Sequence, residues 1–235
     1  MMTRSQSTLP PNLYPLVDGD ILTYRAGFAV KAHEPIINSL ANVKNMINAI
    51  LNQFPERQGY KLYLSGTGNF REKIAVTQPY KGNRDPNNKP RDYLDIRRYM
   101  EEHYNAIVVD GMEADDAIGI EQFKNKDKST CIVSIDKDLD MIPGWHYNFV
   151  KRRGYYVTLE EADRSFWRQC LTGDRTDNVK GVHGFGTKTT GRYLPDTLPP
   201  EDCRQVVEEI YRRVYKEDAI TRLDEVKQLL WIRRQ

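Results

Sequence analysis

Apolar and polar positions along the chain form two kinds of segment. Short apolar runs predict buried strands: Leu13–Val17, Tyr60–Leu64, Ala106–Val109, Cys131–Ile135, Trp145–Val150 and Tyr155–Val157. Longer segments with a helical apolar period predict helices: Ile21–Val30, Ile36–Phe54, Tyr93–His103, Ala114–Phe123, a helix opened by a capping box at Thr158–Glu161, Glu201–Tyr215 and Ala219–Ile232. Because strands and helices alternate, the pattern predicts an α/β protein with a mostly parallel central sheet. The last two helices are predicted to pack through one apolar face each, formed by Val206, Ile210 and Val214 and by Leu223, Val226 and Leu230.

Acidic residues gather where the predicted strands end. Glu113, Asp115 and Asp116 lie within four residues, just after the Ala106–Val109 run. Three further groups are Asp18 with Asp20, Asp136 with Asp138 and Asp140, and Asp174 with Asp177. The carboxyl ends of parallel strands meet at one edge of a sheet, so these groups are expected to share a pocket. Bunched carboxylates repel one another unless a cation or solvent offsets their charge.

Oxygen-only ligands of this kind favour Mg²⁺ or Mn²⁺ over zinc. The sequence therefore predicts a magnesium or manganese site. For the Glu113 group alone, the simpler alternative is a charged helix N-terminus, where acidic side chains suit the helix dipole.

Composition limits the class of protein without naming its partner. The chain has 235 residues, of which 39% are hydrophobic and 29% charged, as expected for one soluble globular core with a small appended subdomain. Its net charge is only +2, but basic residues are concentrated at 71–98 and 151–192. Three cysteines without metal-ligand spacing indicate reduced thiols and a cytoplasmic protein. No apolar run approaches the ~20 residues that span a membrane, and residues 1–12 are expected to be a disordered tail.

Two segments favour contact with a nucleic-acid backbone. Residues 69–99 interleave basic and aromatic side chains with little apolar periodicity, which fits either a phosphate-gripping arm or a solvated loop. Gly181, Gly184 and Gly186 precede a basic helix start, where glycines let backbone amides approach a phosphate. The glycine spacing excludes a Walker loop and a Rossmann fingerprint. A helix-hairpin-helix loop remains, with a flexible glycine turn as the alternative.

The order of these motifs resembles one known family. Along the chain stand Leu16-Val-Asp-Gly-Asp20, Tyr80-Lys-Gly-Asn-Arg84, Glu113-Ala-Asp-Asp-Ala-Ile-Gly119, Ser134-Ile-Asp-Lys-Asp-Leu-Asp140, Gly173-Asp-Arg-Thr-Asp-Asn178 and Gly181-Val-His-Gly-Phe-Gly-Thr-Lys-Thr189. Over residues 13–193 the chain resembles the 5′-nuclease superfamily: bacteriophage 5′→3′ exonucleases, flap endonucleases and the 5′-nuclease domain of bacterial DNA polymerase I. Its small size is most similar to the phage-encoded members, which act in the host cytoplasm.

The resemblance implies a PIN-like domain with a mostly parallel sheet, a helical arch and a helix-three-turn-helix subdomain. The implied divisions are a tail at 1–12, a catalytic domain at 13–170 with its arch at 69–99, a DNA-binding region at 171–195 and C-terminal helices at 196–235. The implied activity is structure-selective cleavage of DNA at 5′ ends, flaps and nicks during replication or recombination. RNA–DNA hybrids are further expected substrates, no membrane partner is expected, and protein partners are left open.

The resemblance also implies roles for individual residues. Two Mg²⁺ or Mn²⁺ ions would be held by Asp18, Glu113, Asp115, Asp116, Asp136, Asp138, Asp174 and Asp177. Lys81 and Arg84 match the basic pair that grips the scissile phosphate. DNA contacts would come from Tyr24, Arg71, Tyr80, Lys81, Arg84, Gly181, Gly184, Gly186, Lys188 and Thr189, and the glycine loop resembles one that holds K⁺. For Tyr24, a core tyrosine is the alternative.

One departure from the family pattern concerns the end of the second strand. The family usually places a metal-binding aspartate there, whereas this chain has Ser65, and Asp20 is the candidate to compensate. The departure keeps open a DNA-binding protein with weak or no catalysis. An RNA-cutting PIN nuclease is a third possibility, disfavoured because simple PIN domains lack both the arm and the hairpin loop.

Overall fold

The centre of the fold is a six-stranded sheet. The computed structural model describes residues 8–85, 87–125 and 129–235. The strands are β1 (Tyr14–Asp18), β2 (Lys61–Ser65), β3 (Ile107–Val109), β4 (Thr130–Val133), β5 (Gly144–Asn148) and β6 (Arg153–Val157). Their order is β3-β2-β1-β4-β5-β6; the first five strands of the chain are parallel, and β6 pairs antiparallel with β5. The predicted α/β class with a mostly parallel sheet is confirmed.

Helices cover both faces of the sheet because side chains alternate in direction along each strand. The helices of this part are α1 (Gly19–Phe28), α2 (Ile36–Leu51), α3 (Arg71–Ile74), α4 (Tyr93–Tyr104) and α5 (Ala114–Lys124). Leu16 of β1 packs in one core cluster with Ile118 of α5. Its neighbour Val17 packs on the opposite face with Leu22 of α1 and Ile96 of α4. Because both faces of β1 are covered, its last residue, Asp18, reaches the carboxyl edge of the sheet from a buried strand.

The last third of the chain adds a layer with its own hydrophobic cluster. Its elements are α6 (Leu159–Thr172), the hairpin β7 (Gly173–Asp174) and β8 (Val179–Lys180), α7 (Thr187–Tyr193), α8 (Pro200–Tyr215) and α9 (Ala219–Leu230). Phe166, Val182 and Leu223 share this cluster, and Tyr80 and Met141 enter it from the earlier part of the chain. The predicted capping box at the start of α6 is present, with both reciprocal hydrogen bonds.

The buried face of α8 differs from the predicted one. Val206, Ile210 and Val214 were expected to face the core, but Val214 is 42% exposed, and the buried residues are Cys203, Val207, Ile210 and Tyr211. Tyr211 faces inward because its hydroxyl donates to the Cys170 carbonyl at 2.8 Å. A polar tip with a buried partner lets a tyrosine take a core position. For α9, the expected buried residues Leu223, Val226 and Leu230 are confirmed.

The segment at 69–99, where the arch is expected, contains little helix in its described residues. Helix occurs there only in α3 and from the start of α4, and α4 packs into the core of the sheet. Between them the chain turns against the β7–β8 hairpin and α9. The Lys81 amide donates to the Asp177 carbonyl at 2.9 Å, and the Thr77 amide donates to Glu225 Oε1 at 2.6 Å. Residues 71–84 of the expected arch thus pack onto the last third of the chain, and we call them the strap.

The N-terminal tail and the three cysteines are the remaining features of the fold. Residues 1–7 of the predicted disordered tail lie outside the described residues, and Leu9 packs against the cluster that contains Leu13. Cys131, Cys170 and Cys203 are all buried and free. Among the described residues, no helix has both the length and the apolar composition needed to cross a membrane.

Candidate active site

Asp18, the last residue of β1, caps the first turn of α1. Its Oδ1 accepts a hydrogen bond from the Ile21 amide at 3.2 Å, and its Oδ2 accepts one from the Ser134 hydroxyl at 2.8 Å. The residue is only 3% exposed. Burial and the neighbouring carboxylate of Asp20 raise the pKa of Asp18 to about 7. A central strand of the sheet thus ends in a buried carboxyl group whose charge is disfavoured.

Glu113 and Asp115 lie at the start of α5. The Glu113 side chain accepts from the Asp116 amide, and the Glu113 amide donates back to Asp116 Oδ2 at 3.2 Å. This reciprocal cap holds the first turn of the helix in place. Burial, together with the charges of Asp18 and Asp136, raises the pKa of Asp115 well above its usual range. Asp115 therefore faces carboxylates from two other chain segments.

Asp136 and Asp138 follow β4. Burial is the main cause that raises the pKa of Asp136. Burial, the charge of Asp136 and contact with Asp174 raise the pKa of Asp138 to about 8. The Gln169 side-chain amide donates to Asp138 Oδ1 at 2.9 Å, so α6 positions this carboxyl group.

Asp174 and Asp177 reach the same region from the β7–β8 hairpin. Asp174 Oδ1 accepts from the amides of Thr176 at 2.6 Å and Asp177 at 3.3 Å. Both carboxylates contribute to the raised pKa of Asp136. Four chain segments thus bring their acids together in what we call the acidic pocket: Asp18, Glu113, Asp115, Asp136, Asp138, Asp174 and Asp177.

Cationic and phenolic side chains from the strap lie against this pocket. Lys81 Nζ pairs with Glu113 Oε1, and the Tyr80 hydroxyl donates to Glu113 Oε2 at 3.0 Å and to Asp177 Oδ2 at 2.6 Å. Arg84 Nη2 lies 2.7 Å from Asp177 Oδ1. Lys81 has a φ of 55°, in the left-handed region that a lysine adopts at a cost of roughly 1 kcal/mol. Tyr80 is buried, so its predicted DNA contact is corrected to an internal contact between the strap and the pocket.

The donor chemistry of the acidic pocket fits hard divalent cations. Its ligand atoms are all carboxylate oxygens, and the raised pKa values show that the pocket disfavours its accumulated negative charge. Within residues 8–85, 87–125 and 129–235, no three such side chains surround one point as closely as an ion requires. Glu113 and Asp177 turn toward Lys81, Tyr80 and Arg84 instead. The residue types therefore fit a metal, while these two carboxylates are paired with cationic and phenolic groups.

Asp116 and Arg71 depart from their predicted roles. Asp116 is fully buried, and Arg71 donates to both of its oxygens, at 2.6 and 2.8 Å. The Arg233 amide donates to the same carboxylate at 3.0 Å. Arg71 is only 2% exposed and also donates to the Leu229 and Trp231 carbonyls. The expected metal ligand and the expected DNA-binding arginine instead form a buried ion pair that anchors the C-terminal segment on α5.

Asp20 is not placed to compensate for the missing aspartate at Ser65. Its Oδ1 lies 2.7 Å from Arg97 Nη1, and its Oδ2 accepts from the Ser65 amide at 3.0 Å. The Ser65 hydroxyl accepts from the Ala114 amide at 2.9 Å. Ser65 and Asp20 thus join the ends of β1 and β2 to the start of α5, and both Asp20 oxygens are engaged in this contact.

Tyr24 lies in a partly exposed aromatic group beside the carboxyl edge. Its ring centroid lies 5.5 Å from that of Tyr93 and 6.0 Å from that of Phe28, both in tilted arrangements. Phe28 is 57% exposed, and Arg97 lies over the Tyr93 ring at 5.4 Å. Tyr24 is therefore neither a fully buried core tyrosine nor an isolated surface ring, and this group offers an aromatic surface for a base.

The predicted glycine loop divides into an inner and an outer part. Gly181 packs against the chain itself, because a Cβ there would lie 2.3 Å from the Leu171 carbonyl oxygen. Gly184 has a φ of 83°, which favours glycine, and Gly186 faces open space at the start of α7. Lys188 is exposed and Thr189 half-buried on α7. Close backbone packing thus accounts for Gly181, whereas Gly184, Gly186 and Lys188 are available at the surface.

Replacing Gly181 with alanine is expected to destabilise the protein. The added methyl group would meet backbone atoms of Leu171 and Gly173 at 2.3 and 2.4 Å, and overpacking of this kind costs about 1–3 kcal/mol. Urea unfolding should show the loss. Gly186→Ala is the matched control, because nothing lies within 4 Å of its Cβ position. Equal unfolding midpoints for the two variants would contradict the packing role.

Two pocket residues had no predicted role. Ser134 donates to Asp18 and accepts from the Asp136 amide at 3.0 Å, so it links the ends of β1 and β4. Gln169 reaches Asp138 from the middle of α6. The signal for Ser134 is its position two residues before Asp136. Gln169 gives no local signal, because only the packing of α6 brings it to the pocket.

The fold and the acidic pocket together define a class: an α/β protein with a mostly parallel sheet and carboxylates gathered along its carboxyl edge. The sequence family described as "5'-3' exonuclease, N-terminal resolvase-like domain" matches residues 13–165. The chain belongs to this family.

Individual relatives agree with that membership. The thermostable DNA polymerase I of Thermus caldophilus is 26% identical over 227 residues, covering 82% of this chain and 26% of the polymerase. The 5′-3′ exonuclease of Buchnera aphidicola subsp. Baizongia pistaciae is 27% identical over 194 residues, covering 75% of this chain and 64% of the relative. The chain thus spans about a quarter of the length of the polymerase it matches.

The fold also occurs among solved structures. The bacteriophage T5 flap endonuclease, solved as a pseudo-enzyme–product complex with DNA and metal ions, superposes with a TM-score of 0.60 at 16% identity. The match covers 93% of this chain and 99% of the phage protein. At that identity the likeness establishes the fold, and the phage protein's ligands remain statements about that protein.

Proposed function

We propose that this protein hydrolyses DNA phosphodiesters near 5′ ends, as a structure-selective 5′→3′ exonuclease or flap endonuclease that uses two Mg²⁺ or Mn²⁺ ions. The observation that supports it most directly is the acidic pocket, in which four distant segments bring carboxylates together, and burial and mutual repulsion raise the pKa values of Asp18, Asp115, Asp136 and Asp138. Family membership supplies the reaction class. Structures of relatives with DNA and metal ions support the substrate and the cofactor.

The carboxylates divide into two proposed ligand groups. One ion would be held by Asp18, Glu113 and Asp115, and the other by Asp136, Asp138, Asp174 and Asp177. Asp115 or Asp136 would lie between them. Bound divalent ions in such sites lower the pKa of water and stabilise the leaving oxygen. The Ser134 hydroxyl, which donates to Asp18, is buried and links the ends of β1 and β4, so the proposed nucleophile is water.

Lys81 and Arg84 are the residues proposed to hold the scissile phosphate. They border the acidic pocket, and Arg84 is about half exposed. A phosphate that enters beside Glu113 and Asp177 offers both cations a second anionic partner. They would then offset the charge that develops on the phosphate oxygens during cleavage.

A Lys81→Ala variant is expected to cleave slowly while binding almost normally. A single cationic contact to a developing charge contributes roughly 10²- to 10³-fold in rate, whereas one lost phosphate contact weakens binding modestly. Single-turnover cleavage and equilibrium DNA binding separate the two effects. Lys73→Ala, at an exposed position on α3, is the control. An unchanged single-turnover rate for Lys81→Ala would refute this role.

The DNA duplex is proposed to contact two surfaces on either side of the pocket. The Tyr24 aromatic group would stack on a terminal base. The Gly184–Thr189 surface would contact the phosphate backbone without reading bases, and carbonyls of the loop would bind K⁺. A salt-dependent affinity that falls in Lys188→Ala is the expected signature.

A gel with 5′-flap, nicked, blunt and RNA–DNA substrates in Mg²⁺ tests the proposal. Cleavage near the 5′ end that leaves a 5′-phosphate is expected, and product lengths distinguish exonuclease from flap endonuclease cutting. No cleavage with intact DNA binding would instead favour a catalytically weak DNA-binding protein, for which Ser65 in place of an aspartate is the supporting observation. Preference for the hybrid would assign removal of RNA primers in replication.

A further inference from the structure

A second cavity lies beside the acidic pocket, between the strap, the β7–β8 hairpin and the helices α8 and α9. Its volume is about 580 Å³, within the range of pockets that hold small ligands. Asp174 and Leu229 line both this cavity and the acidic pocket, so the two are neighbours. Apart from Asp174, none of the residues proposed above to hold metal ions or the scissile phosphate lines this cavity.

Three cations line this cavity without an ion-pair partner in the described part of the chain. They are Arg175, Lys180 and Arg222. The Arg222 guanidinium lies over the Tyr215 ring at 5.0 Å. Stacking on a ring holds the guanidinium plane in place and leaves its N–H edges free to donate to an anion.

Two carboxylates, Asp174 and Glu225, also line this cavity, and Glu225, which shares α9 with Arg222, is already satisfied by hydrogen bonds. Glu225 Oε1 accepts from the Val76 and Thr77 amides, each at 2.6 Å, and the Thr77 hydroxyl donates to Glu225 Oε2. These hydrogen bonds lower the pKa of Glu225 against the opposing effect of burial. Arg222 is therefore not drawn into a short ion pair with Glu225, and an anion can approach it.

The rest of the lining suits a flat, partly polar ring. Val179, Val182, Val226 and Leu229 supply an apolar wall. Gln78 lines the same space, and its buried Oε1 accepts no hydrogen bond. An unsatisfied buried acceptor costs roughly 1–3 kcal/mol, which a ligand N–H group would relieve. The cavity thus offers an apolar wall to a ring, an acceptor to an amino group on that ring, and cations to a phosphate. These features fit a ligand that carries both a ring and a phosphate.

We propose that this cavity binds a nucleoside 5′-monophosphate unit. Arg175, Lys180 and Arg222 would hold the phosphate, and the Gln78 carboxamide would accept from the base. Two sources share this chemistry: a nucleotide of the strand next to the cleaved bond, and a free mononucleotide. The first source rests on the proposed nuclease function, whereas the second does not.

Calorimetric titration of the full chain in EDTA tests the site without divalent ions. A deoxynucleoside 5′-monophosphate is expected to bind with a dissociation constant near or below about 1 mM. The deoxynucleoside and inorganic phosphate should each bind at least about tenfold more weakly, because each offers only half of the contacts. No saturable binding of the monophosphate up to about 10 mM, or equal binding of inorganic phosphate, would overturn the proposal.

Variants localise the binding. Arg222→Met and Gln78→Leu should each weaken the monophosphate about five- to tenfold, while Arg213→Met, at an exposed site on α8, should leave it unchanged. Thermal melts confirm that each variant is folded. If Arg222→Met and Gln78→Leu both fold and bind as tightly as the wild type, the cavity is not the site.

A DNA-binding measurement, again in EDTA, then distinguishes the two sources of the nucleotide. If the occupant is a nucleotide of the DNA strand, Arg222→Met should weaken the binding of a duplex with a 5′ flap more than it weakens the binding of a flush duplex. If only the free monophosphate is affected, the occupant is a free nucleotide; both results support the site. The nuclease gel in Mg²⁺ is independent, so loss of cleavage with retained monophosphate binding rejects the proposed function alone.

Discussion

An Asp115→Asn variant is expected to lose about 10³-fold or more in cleavage rate with Mg²⁺ while it binds flap DNA as tightly as the wild type. Asp115 faces both Asp18 and Asp136, and its pKa is raised by both. It is therefore the carboxylate best placed to bind cations on either side. Asparagine keeps the shape of the side chain but removes the charge that would hold an ion.

Two measurements make this test specific. Single-turnover cleavage reports catalysis, and Mn²⁺ binding followed by electron paramagnetic resonance reports the metal directly, with fewer bound ions expected for the variant. Asp218→Asn, at an exposed position before α9, is the matched control. Cleavage by Asp115→Asn at the wild-type rate in Mg²⁺ would remove Asp115 from the metal site.

Arg71→Met is expected to lower the free energy of unfolding by about 3–5 kcal/mol, because removing one partner of a buried pair leaves an uncompensated charge. Arg71 and Asp116 are 2% and 0% exposed. The arginine also satisfies the Leu229 and Trp231 carbonyls, so its loss would release the C-terminal segment. Urea unfolding measures the effect.

This experiment distinguishes two roles for Arg71: the buried ion pair with Asp116 and the DNA contact that the sequence suggested. A DNA-binding arginine would leave the unfolding midpoint near that of the wild type and weaken only DNA affinity. Arg71→Met with Asp116→Leu should recover part of the stability, because both buried charges are then removed. Arg213→Met is the surface control. A normal midpoint with weakened DNA binding would restore the original role.

Local patterns predicted much of the fold. The sequence placed β1, β2, β4 and α2 within a few residues of their observed bounds, because apolar period and breaking residues act over short distances. The capping box at Thr158 and Glu161 was found because it depends on residues three positions apart. The face of α8 was missed because Cys203 and Tyr211 are buried through contacts with α6 that no local period encodes.

The segment that contains the strap also shows that local sequence patterns do not reveal contacts with distant parts of the chain. Residues 69–99 read as an exposed arm, since their charges and aromatic rings give little periodicity. Arg71 and Tyr80 are nevertheless among the buried residues, because carboxylates distant in sequence satisfy their polar groups. A buried charge needs a partner, and sequence reading cannot find a partner that lies far along the chain.

By itself, the sequence determined where the carboxylates stand relative to the strands, and so that a parallel sheet would collect them at one edge. Only the tertiary structure decided which acids remain in that pocket and which serve the framework. Asp115 and Asp138 crowd against other acids, whereas Asp116 and Asp20 each meet an arginine. The physical reason is that a carboxylate's role depends on its nearest charges, and those charges come from chain segments that only folding brings together.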